Sequence, residues 1–312
     1  MTDAGPGSDP AGGHPADGDP GSGGPGSGGP VVGFVGLGNM GGVLAANLVA
    51  AGLEVVAFDP AGPERVPAGA AGAGGVAEVA GRAEVMVLSL PNGAASQQVA
   101  EQIVGSADRR ATQVVDTSTI GVAAARRVAA LLVGAGIGYV DAPVSGGVAG
   151  ARARTIAVMF AGSDDDCAAV GPVLAGLSDR CLRVGVRPGL AQALKLANNF
   201  LSATALVATS EAVAFGTAAG LDLATMLDVL NGASGQNTAT SDKFPHHVLT
   251  GRYAAGFANT LMAKDVALYL EAVGELGRPP VVAPVTARVW NRFAAAEAGA
   301  DFTRIYPFVR DG

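Results

Sequence analysis

Lys195, Asn198 and Asn199 stand together in an otherwise apolar stretch, Leu194–Phe200. Lys195 and Asn199 are four residues apart, so on a helix they share one face. A long apolar helix is a buried one, and a buried amine or amide without a partner costs on the order of 1–3 kcal/mol. Asn is a mediocre helix former, so two in succession are not there for propensity. A buried amine has a lowered pKa and can exchange a proton near neutral pH. A solvated lysine near a helix start, with amides capping a neighbour, is the other reading; these residues alone leave both open.

A second constellation is Tyr139–Gly147 (YVDAPVSGG), a strand that ends in Ser145 followed by Gly146 and Gly147. A hydroxyl and successive free N–H groups make a small anion nest suited to a carboxylate; a plain turn would look the same. A third is the turn Gly36-Leu37-Gly38-Asn39-Met40-Gly41 after the apolar run Val31–Val35. The first glycine allows a tight turn, the second lets backbone approach a pyrophosphate, and the third permits close helix–strand packing. The following helix N-terminus offers free N–H groups and a positive dipole to phosphates. A second strand ends at Asp59, where an acid can bond both adenosine ribose hydroxyls and repel a 2′-phosphate. No Arg adjoins Asp59 in sequence, the next being Arg65, so NAD is expected in preference to NADP.

These residues need a scaffold. Val31–Gly36, Glu54–Asp59, Val85–Leu90, Gln113–Thr117, Tyr139–Val144 and Ile156–Gly162 are short runs rich in Val, Ile, Leu and Phe. They show little polar alternation, as expected of strands buried on both faces of a parallel sheet. Ala-rich segments such as Met40–Ala51 and Val122–Gly134 have the length of crossover helices. The expected fold class is therefore α/β, with a doubly wound Rossmann-type dinucleotide-binding domain over residues 31–190. After Gly189 the pattern turns helical: a helix of about 30 residues over Leu190–Ala219, then Leu223–Asn231, Ala258–Leu276 and Val281–Ala298. Residues 191–312 are thus expected to form an all-α substrate and dimerisation domain. Asn231–Lys243 (NGASGQNTATSDK) is the longest non-periodic segment there, and long loops in compact domains are often functional.

Composition narrows the function further. Residues 1–30 hold Gly, Pro and Asp but no Val, Leu, Ile, Phe, Tyr or Trp, and read as a disordered tail. Four Asp in that tail account for much of the net charge of −7, which leaves no basic footprint for nucleic acid or an anionic membrane. Cys167 and Cys181, with His14, His246 and His247, are too few and too scattered for a disulfide framework or a metal site. The N-terminus lacks a basic start and an apolar run, and the longest apolar-looking stretch, Phe200–Ser210, falls short of a membrane span of about 20 residues. A soluble cytoplasmic protein is expected.

Assembled in order, these motifs resemble the β-hydroxyacid dehydrogenase family, with its 6-phosphogluconate dehydrogenase-type NAD-binding domain, over essentially all of residues 31–312. Gly33–Gly41 (GFVGLGNMG) matches the family's cofactor signature, and Leu90-Pro91 its Leu-Pro after a central strand. Asp116–Ile120 (DTSTI) matches the segment that places a Thr, here Thr119, near the nicotinamide. Asp141–Gly147 (DAPVSGG) matches the substrate-carboxylate motif, and Lys195–Asn199 (KLANN) the K-x-x-N-N in which the lysine is catalytic and the second Asn orients substrate. Phe257, Lys264 and Asp265 match a pattern that closes over the nicotinamide and the active-site lysine.

The resemblance implies hydride transfer between NAD and a short 3-hydroxy acid of the 3-hydroxyisobutyrate type, giving the semialdehyde, or the reverse. Glyoxylate, tartronate semialdehyde, succinic semialdehyde and threonate are alternative substrates within the family. Imine reductases share the fold but generally replace the lysine with Asp or Tyr, so Lys195 disfavours that reading. A cofactor-binding protein without chemistry is disfavoured by the intact Lys195, Asn199 and Ser145 set. Homodimers or homotetramers are expected, from the apolar length of the long helix and from the family. The chain departs from the family pattern at Ala191 and Arg154, both usually Gly, at Val122, usually Pro, and at Asn237, often aromatic. The polar Asn237 leads to the expectation of a more polar substrate than hydroxyisobutyrate.

Overall fold

The computed structural model describes residues 29–312. Of the tail read from the sequence over residues 1–30, all but the last two residues lie outside that range. Among the described residues, nine strands form one sheet: β1 (Val32–Val35), β2 (Val55–Phe58), β3 (Ala71–Gly72), β4 (Val85–Leu88), β5 (Gln113–Asp116), β6 (Gly138–Asp141), β7 (Val144–Ser145), β8 (Ala157–Ala161) and β9 (Arg180–Gly185). The order β3-β2-β1-β4-β5-β6 is parallel throughout and has the topology of a dinucleotide-binding sheet. Beyond β6 the sheet becomes mixed: β8 runs antiparallel to β6 and β7, and β9 parallel to β8.

Why the strands lack alternation is visible in their packing. On β1, Val32 and Phe34 enter the core on one face, while Val35 enters that on the other. Val85 and Val87 of β4 likewise oppose Met86 and Leu88. The faces are covered by α1 (Gly41–Ala50), α2 (Val76–Arg82), α3 (Gly93–Gly105), α4 (Val122–Gly134), α5 (Gly147–Arg152), α6 (Asp164–Ala169) and α7 (Gly171–Leu177). The edge strand β9, RCLRVG, escapes the sequence reading because it is largely exposed and carries charge, so it lacks the unbroken apolar run of a central strand.

The second part is helical: α8 (Leu190–Ala218), α9 (Leu223–Asn231), α10 (Asn259–Glu275), α11 (Ala283–Ala296) and α12 (Ile305–Asp311). By length and composition α8 would suffice to cross a membrane, since it runs well beyond the apolar-looking stretch Phe200–Ser210 on both sides. Here α8 is instead the axis against which α10, α11 and α12 pack. Its buried Ala203 offers a carbonyl to Trp290 Nε1 at 3.2 Å, and Phe200 stacks on Tyr269 of α10 with centroids 4.4 Å apart. The stretch expected to be a long loop is shorter than the sequence implied, because Ala239–Val248 winds into a π-type helix.

Asn237 lies just before that helix. Its Oδ1 accepts from Ala239 N at 2.8 Å and Thr240 N at 3.3 Å, while Nδ2 donates to Gly235 O and Thr209 Oγ1. The side chain is thus consumed in capping, and the expectation of a polar substrate drawn from it is withdrawn. Arg154 has a left-handed backbone, φ +58°, which explains a glycine preference there. The arginine offsets the strain by donating to Gly176 O at 2.6 Å and Ala175 O at 2.8 Å, near the end of α7. Val122 occupies the first position of α4, where proline is favoured but not required.

Candidate active site

The switch point of the sheet lies between β1 and β4, and the glycine turn sits at its carboxyl edge. Gly36 has φ +93°, and a Cβ there would lie 2.3 Å from Ser89 O. At Gly41 a Cβ would lie 1.9 Å from Gly36 O, so the turn closes against the start of α1 only with hydrogen at both places. Gly38 is different: nothing stands within 4 Å of a Cβ built on it. The turn therefore exposes bare backbone at its crest, next to a helix N-terminus, as a pyrophosphate requires. A depression of about 740 Å³ opens over Leu37, Gly38 and Asn39, with Arg65 and Arg152 on its wall. Met40 immediately precedes α1.

Asp59, at the end of β2, accepts from Leu37 N at 2.6 Å and from Ala61 N at 2.8 Å. The carboxylate thereby ties the glycine turn to the second strand. Arg65 Nη1 lies 3.7 Å from Asp59 Oδ1. Although no arginine adjoins Asp59 in sequence, one is close in space, because a short turn of helix over Pro63–Arg65 folds the guanidinium back toward the carboxylate.

On the other side of the switch point, Leu90 N donates to Ser118 Oγ at 2.8 Å, joining the Leu90-Pro91 turn to the Thr119 segment. Lys264, on α10, reaches across from the helical part and donates to Thr119 O at 2.7 Å and Pro91 O at 3.2 Å. Three sequence-predicted residues, Pro91, Thr119 and Lys264, thus meet at one place. The next residue, Asp265, faces α8: its Oδ2 accepts from Asn199 Nδ2 at 2.6 Å, and its Oδ1 lies 3.2 Å from Lys264 Nζ.

Lys195 is 7% exposed, one turn before Asn199 on the same face of α8. Burial pulls its pKa down to about 8; the Asp265 carboxylate opposes that shift and the Lys264 ammonium reinforces it. Asn198 carries no assigned role in the sequence reading, yet it connects the two motifs: its Nδ2 donates to Ser145 Oγ at 3.3 Å and to Asn199 Oδ1 at 3.0 Å. Gly146 and Gly147 both have positive φ, +137° and +70°, and turn the backbone from β7 into α5. Phe257 is set differently from the rest: its ring packs edge-on against Phe302 at 5.5 Å, in the helical core.

Gln192 is the other residue the motifs do not single out. It is fully buried at the start of α8 and holds the Thr119 segment through its side-chain amide. A buried, uncharged amide near a helix start gives a sequence reader no sign of its distant partners.

The geometry joins a dinucleotide cradle to a buried amine of lowered pKa, and this is the arrangement of an NAD(P)-dependent dehydrogenase acting on CH–OH groups. Residues 31–185 match the family model described as the NAD binding domain of 6-phosphogluconate dehydrogenase. Residues 189–309 match that described as NAD-binding of NADP-dependent 3-hydroxyisobutyrate dehydrogenase. The chain is 35% identical over 291 residues to a probable 3-hydroxyisobutyrate dehydrogenase of Mycobacterium tuberculosis, covering 89% of this chain and 97% of that one. It is also 35% identical to 2-(hydroxymethyl)glutarate dehydrogenase of Eubacterium barkeri, covering 85% and 88%. The solved Mycobacterium tuberculosis 3-hydroxyisobutyrate dehydrogenase with L-serine superposes with a TM-score of 0.82 at 33% identity, covering 90% and 99%. The chain belongs to the β-hydroxyacid dehydrogenase family. Imine reductases superpose with lower TM-scores, such as 0.57 at 20% identity, and share the fold alone.

Proposed function

We propose that the protein oxidises a short 3-hydroxy acid of the 3-hydroxyisobutyrate type to its semialdehyde, or runs the reverse, with Lys195 as the proton carrier. The observation that carries this reading is the buried Lys195 amine, with Asn199 and Asp265 beside it and Ser145 joined to the same cluster through Asn198. The Ser145 hydroxyl and the Gly146 and Gly147 amides would hold the substrate carboxylate. Asn199, its side chain steadied by Asp265, would hold the substrate oxygen against Lys195. In oxidation neutral Lys195 takes the hydroxyl proton; in reduction protonated Lys195 returns it. The nicotinamide, when bound, supplies the hydride acceptor or donor at its C4 carbon. Gly36, Gly38 and Gly41 would cradle the pyrophosphate, with Leu37, Asn39 and Met40 completing the turn and Leu90, Pro91, Thr119 and Lys264 flanking the nicotinamide end.

NAD is the cofactor we assign in preference to NADP. Asp59 follows β2, where an acid would bond the adenosine ribose hydroxyls, and Arg65 lies 3.7 Å from that carboxylate as its counter-charge. We also place the active form as a homodimer or homotetramer in the cytoplasm. The support for assembly is a stripe on α8 seven residues apart: Leu194, Leu201 and Phe215, exposed to 45, 66 and 77%, with exposed Ala208 between them. Nicotinamide absorbance with NAD and a panel of hydroxy acids tests the proposal. Turnover of hydroxyisobutyrate, glycerate, threonate or 3-hydroxypropionate supports it, and no turnover of any short 3-hydroxy acid in either direction overturns it.

A further inference from the structure

The Thr119 segment is held by its backbone from two sides. Gln192 Oε1 accepts from Ile120 N at 3.0 Å and Gly121 N at 3.1 Å, and its Nε2 donates to Ser118 O at 2.9 Å. The intervening carbonyl, Thr119 O, accepts from Lys264. Gln192 is itself fixed from below: its backbone N donates to Asp141 Oδ2 at 2.9 Å, while Gly189 N donates to Asp141 Oδ1 at 3.0 Å. Asp141 is fully buried at the end of β6, so a carboxylate from the sheet caps the first turn of α8. Lys195 stands three residues beyond Gln192, a rise of about 4.5 Å on the same rigid helix.

We propose that Gln192 and Asp141 are positioning residues: together they lock the Lys195 turn of α8 to the sheet and to the Thr119 segment, so that proton carrier and nicotinamide-side loop keep one fixed relation. The contacts span 48 to 74 residues of chain and are all buried, so neither element can slide without breaking several of them. Catalysis is sensitive to such slippage, since a misplacement of about 1 Å can cost roughly 100-fold in rate. The proposal rests on the assignment of Lys195 as proton carrier. The charged groups that face that amine, Asp265 and Lys264, both lie on α10 and are unchanged by the test.

The test uses Gln192→Met and Asp141→Asn in the full chain, with NAD affinity, thermal midpoint, kcat, KM and the pH profile measured for each. Gln192→Met removes all three side-chain bonds; Asp141→Asn keeps one acceptor and loses the other. The expected result is a fall in kcat of tenfold to about 100-fold per folded molecule, with NAD Kd changed less than about threefold. In Gln192→Met the pH limb near 8 is expected to move upward, because a loosened helix admits water to the Lys195 amine. A merely structural role would lower the thermal midpoint but leave kcat per folded molecule and the limb in place, and that outcome overturns the proposal. Should Gln192→Met fail to fold, Asp141→Asn decides on kcat and NAD affinity. Lys195→Ala separates the two ideas. If it retains rate, the Lys195 assignment falls; if it loses rate while both positioning variants keep theirs, only the lock falls.

Discussion

Asn199 Nδ2 donates to Asp265 Oδ2 at 2.6 Å, and this bond joins the long helix α8 to α10 at the centre of the site. One carboxylate thereby orients the amide proposed to hold substrate and holds the Lys195 pKa up against burial. Position and protonation are coupled through a single side chain.

Asp265→Asn separates the two effects. The carboxylate raises the Lys195 pKa, so its removal leaves burial and Lys264 to lower that pKa further below about 8. Oxidation needs the neutral amine, so its acidic limb should move to lower pH. Reduction needs the ammonium, so its alkaline limb should move down as well. The rate should fall about tenfold, since a hydrogen bond to a charged group is worth roughly 1.5–3 kcal/mol. Rate profiles in both directions check this, and limbs that stay in place or move up would contradict it.

Gly38→Ala and Gly41→Ala should differ in their effect on stability. A methyl at Gly38 meets nothing within 4 Å, whereas one at Gly41 meets Gly36 O at 1.9 Å. Gly38→Ala should keep the thermal midpoint and weaken NAD binding by about tenfold, roughly 1.4 kcal/mol of lost approach to the pyrophosphate. Gly41→Ala should lower the midpoint as well. Calorimetric titration with NAD and a thermal melt distinguish them; equal NAD affinity in Gly38→Ala and the parent would remove the cradle from the account.

Arg65→Ala tests the cofactor preference. With Asp59 in place, NAD should retain its kcat/KM within about threefold, while any NADP activity should drop about tenfold, the worth of one charge-assisted contact. A gain in NADP use on losing the arginine would contradict the assignment.

The sequence carried those parts of the site whose chemistry is local. The glycine turn, the Ser145-Gly146-Gly147 nest and the Lys195/Asn199 pair are each set by residues a few positions apart, and their backbone demands show in composition and spacing. What depends on partners far along the chain was hidden. Arg65 reaches Asp59 only because the chain turns between them, and Gln192 and Asp141 matter through contacts 48 to 74 residues away. Asn237 misled for the same reason: its polarity serves its own backbone rather than a ligand. The strands of the central sheet were legible because burial on both faces suppresses alternation, and β9 was not because its edge is wet.

Arg154 offers a stability test independent of catalysis. Arg154→Ala keeps the left-handed backbone and loses the bonds to Ala175 and Gly176, and should cost about 2 kcal/mol. Arg154→Gly loses the same bonds but relieves the strain, and should cost about 1 kcal/mol less. Denaturant midpoints check the order; equal midpoints for the two variants would mean that the backbone there is unstrained.

The most direct test of the central claim is the oxidation rate of Lys195→Ala beside its NAD affinity. Loss of general-base catalysis should lower kcat by about 100-fold to 10,000-fold. NAD affinity should be unchanged, because Lys195 stands apart from the Gly36–Gly41 cradle. A folded Lys195→Ala protein that binds NAD and oxidises its hydroxy acid at close to the parent rate would contradict the account.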